Sequence, residues 1–314
     1  IEVADWLSTE RGIYSFEGFF DDRSSYGNLS VDPSGNVIGS IESCIQYAVE
    51  NGIKEVYSTL MPEKHHKINR LIKQAEDNCV SLRFVPASIS EIKGEYYLLH
   101  EQPFPVIGIR SEPLADIGNR WKKRIFDITF SLFVIVFVLS WLVPIIGILI
   151  KLETKGPVFF VQKRSGRYND IFFCFKFRTM AVTNKSDLQQ ATKGDARITR
   201  IGAFLRKTSL DELPQFLNVF FGEMSIIGPR PHMLAHTQQY SKIINRYMVR
   251  QFVKPGISGW AQVNGYRGET EAPILMEKRV EHDIWYMENW SLMLDIRIIF
   301  LTIMNMFRGE ERAY

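Results

Sequence analysis

Two adjacent carboxylates, Asp211 and Glu212, stand between the basic pair Arg206-Lys207 and the apolar run that begins at Phe216. Ser209, three residues ahead of Glu212, completes a capping-box pattern, so a helix is expected to start near Leu210 with Pro214 in its first turn. Both carboxylates would then lie at the positive end of a helix dipole, where anions and metal-bound phosphates are also stabilised. A carboxylate held there stays ionised. It can attack phosphorus as a nucleophile or ligate a hard cation such as magnesium. Plain acidic capping of a first turn is the alternative for the motif taken alone.

Three further stretches supply cations. The turn Gln162-Lys163-Arg164-Ser165-Gly166-Arg167 is basic, and the apolar, aromatic run Ile171–Phe177 delivers Lys176 and Arg178. Basic side chains within apolar flanks suit the clamping of phosphates in a partly desolvated site, and a generic phospholipid-binding face is the rival reading. In Gly228-Pro229-Arg230-Pro231 the flanking prolines fix the backbone of Arg230 and aim its side chain, which a surface charge does not require. Val253 to Gly265 forms a glycine-punctuated loop or strand pair.

The formal net charge of +3 hides an asymmetry. Residues 1–116 net −8, residues 117–210 net +12 and the remainder −1. A basic middle third implies an anionic partner: nucleic acid, phospholipid headgroups or a phosphorylated substrate. Nucleic acid is the weakest of these, because the basic residues surround the 23-residue uncharged run Ile128–Ile150. Cys44, Cys79 and Cys174 lack metal-ligand spacing and fit reduced thiols in a cytoplasmic compartment. The chain opens on Ile with no signal peptide and reads as a piece of a longer one.

The elements that must position these groups begin with an α/β unit. Strands at Ile13–Phe20, Ile53–Leu60 and Val80–Val85 alternate with helices at Ile41–Glu50 and from Pro62 to Asp77, which implies a parallel, Rossmann-like sheet. Gly35 and Gly39 belong to a turn and there is no G-x-G-x-x-G, so a regulatory or structural role is expected for residues 1–90. Residues 91–119 read as a linker, with one short strand at Pro105–Arg110.

Residues 120–152 read as a membrane segment. Arg120-Trp121-Lys122-Lys123-Arg124 has the composition of a membrane surface, and Ile128–Ile150 has the length of a membrane span. Positive residues flank the run on both sides, and Pro144 deprives the Ser140 carbonyl of its helical partner. A re-entrant helix that bends near Ser140–Pro144 and returns to the same face satisfies both facts, with the Ser140 hydroxyl a partner for the bent backbone. A straight anchor is the alternative. Residues 153–314 are expected to be mostly helical with short strands: residues 271–289 have helical spacing, and Leu292–Phe307 reads as an interfacial amphipathic helix or as core.

Together these stretches resemble the bacterial sugar transferase family, the monotopic polyprenyl-phosphate hexose-1-phosphate transferases. The matching residues run from Arg120 to the C-terminus: the hydrophobic hairpin ending Ile150-Lys151-Leu152, Gly156-Pro157-Val158-Phe159, Lys176 to Met180, Thr208 to Gln215, Gly228 to Pro231 and Pro255 to Trp260. Residues 13–86, with Gly18 to Asp22, resemble the degenerate nucleotide-binding-like domain of the larger members. The kink departs from the family's usual Ser-Pro pair, since three residues separate Ser140 from Pro144.

The resemblance implies transfer of a hexose 1-phosphate from a UDP-hexose to undecaprenyl phosphate with release of UMP. That step would initiate exopolysaccharide, capsule or O-antigen repeat units at the cytoplasmic face of the bacterial plasma membrane. It implies that Asp211 is the nucleophile forming a covalent phosphosugar, and that Asp211 and Glu212 hold Mg2+, or Mn2+. Lys163, Lys176, Arg178, Arg206, Pro229 and Arg230 are the expected substrate-binding residues. Similarity along the C-terminal stretch, from Glu277–Asp283 to Ala313-Tyr314, leans towards glucose, with galactose open; a homodimer is compatible with the family. A non-catalytic membrane scaffold with a nucleotide-sugar-sensing domain is the competing reading.

Overall fold

Hydrophobic alternation in the first hundred residues resolves into two small sheets. The computed structural model describes residues 15–22, 37–62, 66–86, 96–100, 104–181, 195–268 and 273–308. The chain divides into two units, Ile1–Ser111 and Glu112–Tyr314.

In the first unit, β1 (Phe19–Phe20) pairs in parallel with β2 (Val37–Gly39). A 3-10 turn at Ile41–Ser43 leads into α1 (Cys44–Glu50), followed by β3 (Glu55–Ser58), α2 (His66–Asp77) and β4 (Ser81–Phe84). Strands β5 (Tyr97–His100) and β6 (Val106–Gly108) complete a sheet of order β3-β4-β6-β5. Ile68, Leu71 and Ala75 recur at helical spacing on α2 and bury with Ile45, Phe84 and Ile107.

This corrects the all-parallel expectation. β3 and β4 run parallel, but β6 is antiparallel to both neighbours. β6 falls on the short strand expected at Pro105–Arg110, where Val106 and Ile107 are buried, and β5 adds a second strand from the segment read as linker. Gly39 lies in a strand and not in a turn. Ile13, Tyr14 and Gly35 lie outside the described residues.

The second unit begins with one 37-residue helix, α3 (Ile117–Glu153), capped by the Asp116 carboxylate accepting from the Asn119 amide at 2.8 Å. It includes a π-helical turn at Ile135–Leu139 and continues as helix through Pro144. The Ser140 hydroxyl donates to the Val136 carbonyl at 2.6 Å.

Two of the basic residues at its start, Lys123 and Arg124, are committed to protein. Lys123 Nζ donates to Asp295 at 2.7 Å, to the Ile227 carbonyl at 3.0 Å and to Tyr286 at 3.1 Å. Arg124 donates to the Val219 and Phe220 carbonyls at 2.6 and 2.7 Å. Of the aromatic and basic cluster, Trp121 is 64 % exposed, whereas Lys123 is buried. Asp295, which the sequence presents as an interruption of an apolar helix, is the buried counter-charge that Lys123 requires.

After α3 come the hairpin β7 (Phe159–Ser165) and β8 (Ile171–Phe177), then α4 (Arg200–Lys207) and α5 (Gln215–Phe221). Strand β9 (Ser225–Ile227), α6 (Leu234–Tyr240) and the 3-10 run Tyr247–Phe252 precede β10 (Gly256–Ser258), which pairs in parallel with β9. Helices α7 (Trp260–Val263), α8 (Pro273–Glu288) and α9 (Leu292–Arg308) follow. Gly228 and Gly256 stand so close that a Cβ on Gly256 would collide with the Gly228 backbone. This contact seats the Gly228–Pro231 segment at the end of the β9/β10 pair.

Candidate active site

The β7/β8 hairpin is in register along its whole length, from Phe159 opposite Phe177 to Ser165 opposite Ile171. Directly opposed residues share a face and alternate residues reverse it. Lys176 therefore projects with Cys174, Phe160, Gln162 and Arg164, while Lys163 projects the other way, with its Nζ 5.8 Å from the Phe173 ring. Asn218 on α5 accepts from the Phe175 amide at 3.0 Å and donates to the Phe173 carbonyl at 2.7 Å. That amide bracket ties the helix following the carboxylates to the edge of β8.

The carboxylates sit one turn earlier than expected. Ser209 adopts a left-handed conformation (φ 56°) and makes no capping hydrogen bond, because an N-cap requires extended backbone. Its hydroxyl instead accepts from Arg267 at 2.7 Å. Leu210–Glu212 form a 3-10 turn and the α-helix starts only at Gln215, with Pro214 at its N-cap, which replaces the capping-box reading.

Glu212 is clamped. Lys176 Nζ donates to Oε1 at 2.6 Å, and the Arg230 fork donates to Oε1 at 2.7 Å and Oε2 at 3.2 Å. Burial opposes its ionisation, yet Arg230 and Lys176 hold its carboxyl well below the usual carboxylate range. Asp211, 9 % exposed, has no hydrogen-bond or ion-pair partner among the described residues. Burial, reinforced by the Glu212 charge, pushes its carboxyl up to about 6, against the pull of Lys176, Arg206 and Arg230. One carboxylate is thus neutralised by two cations while its neighbour stays open.

The other expected residues divide. Arg206 Nε donates to the Thr179 hydroxyl at 2.8 Å and acts electrostatically on Asp211. Arg178 is buried and donates to the Lys155 and Thr154 carbonyls at 2.7 and 2.9 Å, where it closes the C-terminal end of α3. The Pro229 carbonyl accepts from the Gly256 amide at 2.9 Å. Two cations that the sequence did not single out act on the same carboxylate. Burial lowers the Arg164 pKa to about 10, with the Arg230 charge adding to that and the Glu212 charge opposing it; Arg267 lowers the Glu212 carboxyl. The signal for Arg164 is the hairpin alternation, which sets residue 164 and not 163 on the face of Lys176.

Among the described residues no group of three or more His, Cys, Asp or Glu side chains is placed to hold a metal ion. Magnesium nevertheless is commonly held by one or two carboxylates plus substrate phosphates and water. The open Asp211 carboxylate fits that role better than Glu212, whose two oxygens already take Lys176 and Arg230.

A model of the bacterial sugar transferase domain matches residues 118–309, and a model of a CoA-binding domain matches residues 7–86. The chain is 39% identical to a UDP-glucose:undecaprenyl-phosphate glucose-1-phosphate transferase of Escherichia coli K12, across 92% of this chain and 61% of that protein. It is 38% identical to a protein of the same name from Klebsiella pneumoniae, across 98% and 64%. A UDP-N-acetylgalactosamine-undecaprenyl-phosphate N-acetylgalactosaminephosphotransferase of Aeromonas hydrophila is 46% identical across 52% of this chain and 38% of its own length. The chain spans somewhat under two thirds of the length of the first two relatives.

Proposed function

Since the chain belongs to the bacterial sugar transferase family, we propose that it moves glucose 1-phosphate from UDP-glucose to undecaprenyl phosphate and releases UMP. The observation that carries this reading is the split dyad: an open, partly buried Asp211 beside a Glu212 neutralised by Lys176 and Arg230. With its carboxyl at about 6, Asp211 is largely ionised at neutral pH, yet burial leaves it poorly solvated and nucleophilic.

In the first step an Asp211 carboxylate oxygen bonds to the sugar-bearing phosphorus as the bond from that phosphorus to the UMP oxygen breaks. In the second, the oxygen of the lipid phosphate attacks the same phosphorus and returns the Asp211 carboxylate. Lys176, Arg230 and Arg164 offset the repulsion between the anionic reactants, and Glu212 holds the first two in place. Magnesium or manganese held by Asp211 with the donor's phosphates would supply further charge neutralisation.

Glucose is preferred over other sugars because the relatives that match nearly the whole chain are named for it. An N-acetylgalactosamine transferase is 46% identical over 52% of this chain, so another UDP-sugar is the alternative that a sugar panel must test.

Membrane re-entry is supported by packing. The first half of α3 lies against α5 and β9 and its end against α4, all in one unit, while Phe133, Phe137, Trp141 and Ile145 between them are exposed. A helix that crossed the bilayer would carry its two ends to opposite sides. On this reading the catalytic unit works at the cytoplasmic face, where UDP-sugars arise.

The test is label transfer from a panel of radiolabelled UDP-sugars into lipid by the purified chain in nanodiscs. Label from UDP-glucose should enter lipid and also a transient protein adduct; no lipid label from any sugar would overturn the reading. Excess chelator should stop the reaction and magnesium should restore it, whereas full activity in chelator removes the metal.

A further inference from the structure

Arg230 reaches Glu212 from a segment that has no secondary structure to hold it. Residues 228–232 contain two prolines, which give no backbone N–H, so beyond the Gly228 amide, which donates to the Ser258 carbonyl at 2.9 Å, the segment is gripped at its carbonyls. The Pro229 carbonyl is taken by the Gly256 amide, and the His232 carbonyl by the Ser165 amide at 3.1 Å. The Arg230 carbonyl is taken by a side chain: Arg250 Nη2 donates to it at 2.7 Å.

We propose that Arg250 is a positioning residue that aims Arg230 at the dyad, by holding the chain on both sides of Pro231. This rests on the reading that Arg230 serves the transfer. The Arg250 fork spans three partners at once. Its Nη1 stands 2.7 Å from His232 Nδ1 and 3.0 Å from Nε2, while Nη2 takes the Arg230 carbonyl and pairs with Asp283 at 2.8 Å.

All three side chains are buried, at 4 %, 7 % and 2 % exposure for Arg250, His232 and Asp283. Burial, followed by the Arg250 charge, keeps the His232 ring well below its usual pKa; it is therefore neutral and able to accept from the guanidinium. Tyr247, in the same 3-10 run as Arg250, places its hydroxyl 2.5 Å from His232 Nδ1. Asp283 brings the counter-charge from α8, a helix that does not touch Glu212 by any hydrogen bond. A lysine could supply the charge of Arg250 but not the planar fork that engages the residues before and after Pro231.

A double-mutant cycle on the full chain in nanodiscs separates positioning from simple support of the fold. Arg250→Lys should lower kcat for label transfer from UDP-glucose by about 10- to 100-fold, the order expected when a catalytic group is displaced by an ångström. Arg230→Ala should lower it at least as much. The double variant should then be no slower than Arg230→Ala, within about twofold, because Arg250 has nothing left to aim.

An equal Arg250→Lys penalty in both backgrounds would mean that Arg250 only supports the fold, and an undiminished rate in the single variant would remove it altogether. Full activity of Arg230→Ala would instead overturn the role of Arg230, and the proposal with it. Thermal unfolding of each variant checks that folded protein is compared. If Arg250→Lys does not accumulate, Asp283→Asn, which preserves side-chain volume, replaces it in the same cycle with the same expected pattern.

Discussion

At the scale of single residues, the dyad works because two neighbouring carboxylates have opposite surroundings. Asp211→Asn is expected to abolish both lipid labelling and the protein adduct. It should also stabilise the chain in chelator at neutral pH. The sign follows from linkage: the folded Asp211 carboxyl lies at about 6, above its ordinary 3.8. Its favourable neutral form is present below 3.8 and stability is lost as pH rises through 6, by on the order of 1–3 kcal/mol. Asparagine escapes that loss. The unfolding temperature of Asp211→Asn should therefore exceed that of the parent at pH 7.5 and match it near pH 3.5, and equal values at both would contradict the buried, unpartnered carboxylate. A second residue-scale comparison concerns the hairpin. Arg164→Gln should lower kcat/KM for UDP-glucose by about tenfold or more, as befits loss of a partly buried cation facing the site. Lys163→Gln, on the other face of β7, should cost less.

At the scale of elements, the site depends on close backbone approaches. Gly256→Ala would force a methyl into the Gly228 backbone, where no flexible side chain can yield. A cost of at least about 1–3 kcal/mol is expected from overpacking alone. Any protein that folds should also transfer poorly, because the Pro229 carbonyl loses the Gly256 amide that seats Arg230. Thermal unfolding and the transfer assay read the two effects separately, and an unaltered melting temperature would show that the strands can separate without penalty. Asn218 acts in the same way between α5 and β8, since its amide satisfies backbone groups at the edge of β8.

At the scale of the whole molecule, α3 is the helix on which the proposed membrane re-entry turns. About 20 apolar residues cross a bilayer, and 37 residues of helix extend roughly 55 Å if straight. Re-entry predicts that single cysteines placed at exposed Asn51 and Lys278 are both protected from an impermeant reagent in intact cells. Labelling at Asn51 alone would establish a true span. Pro144→Leu tests what would enforce re-entry: if both sites stay protected, the packing of the helix ends holds the topology, and if Asn51 becomes reactive the proline does.

Much of this protein is written locally. The adjacent Asp211 and Glu212, the Pro-Arg-Pro segment, the uncharged run of 23 residues and the family resemblance are all contiguous in sequence, so residue type and short spacing suffice to find them. Other features depend on partners far along the chain. Lys123 pairs with Asp295 across 172 positions, and Arg178 spends its guanidinium on carbonyls at the end of α3. Arg164 faces Glu212 because of a hairpin register, and Ser209 is left-handed rather than a cap. Asp211 and Glu212 are equivalent as letters; only the folded chain separates them, because Lys176 and Arg230 converge on one oxygen pair and leave the other buried and open. Chemical identity is a property of the residue, whereas charge state and direction follow from what burial brings within hydrogen-bonding distance.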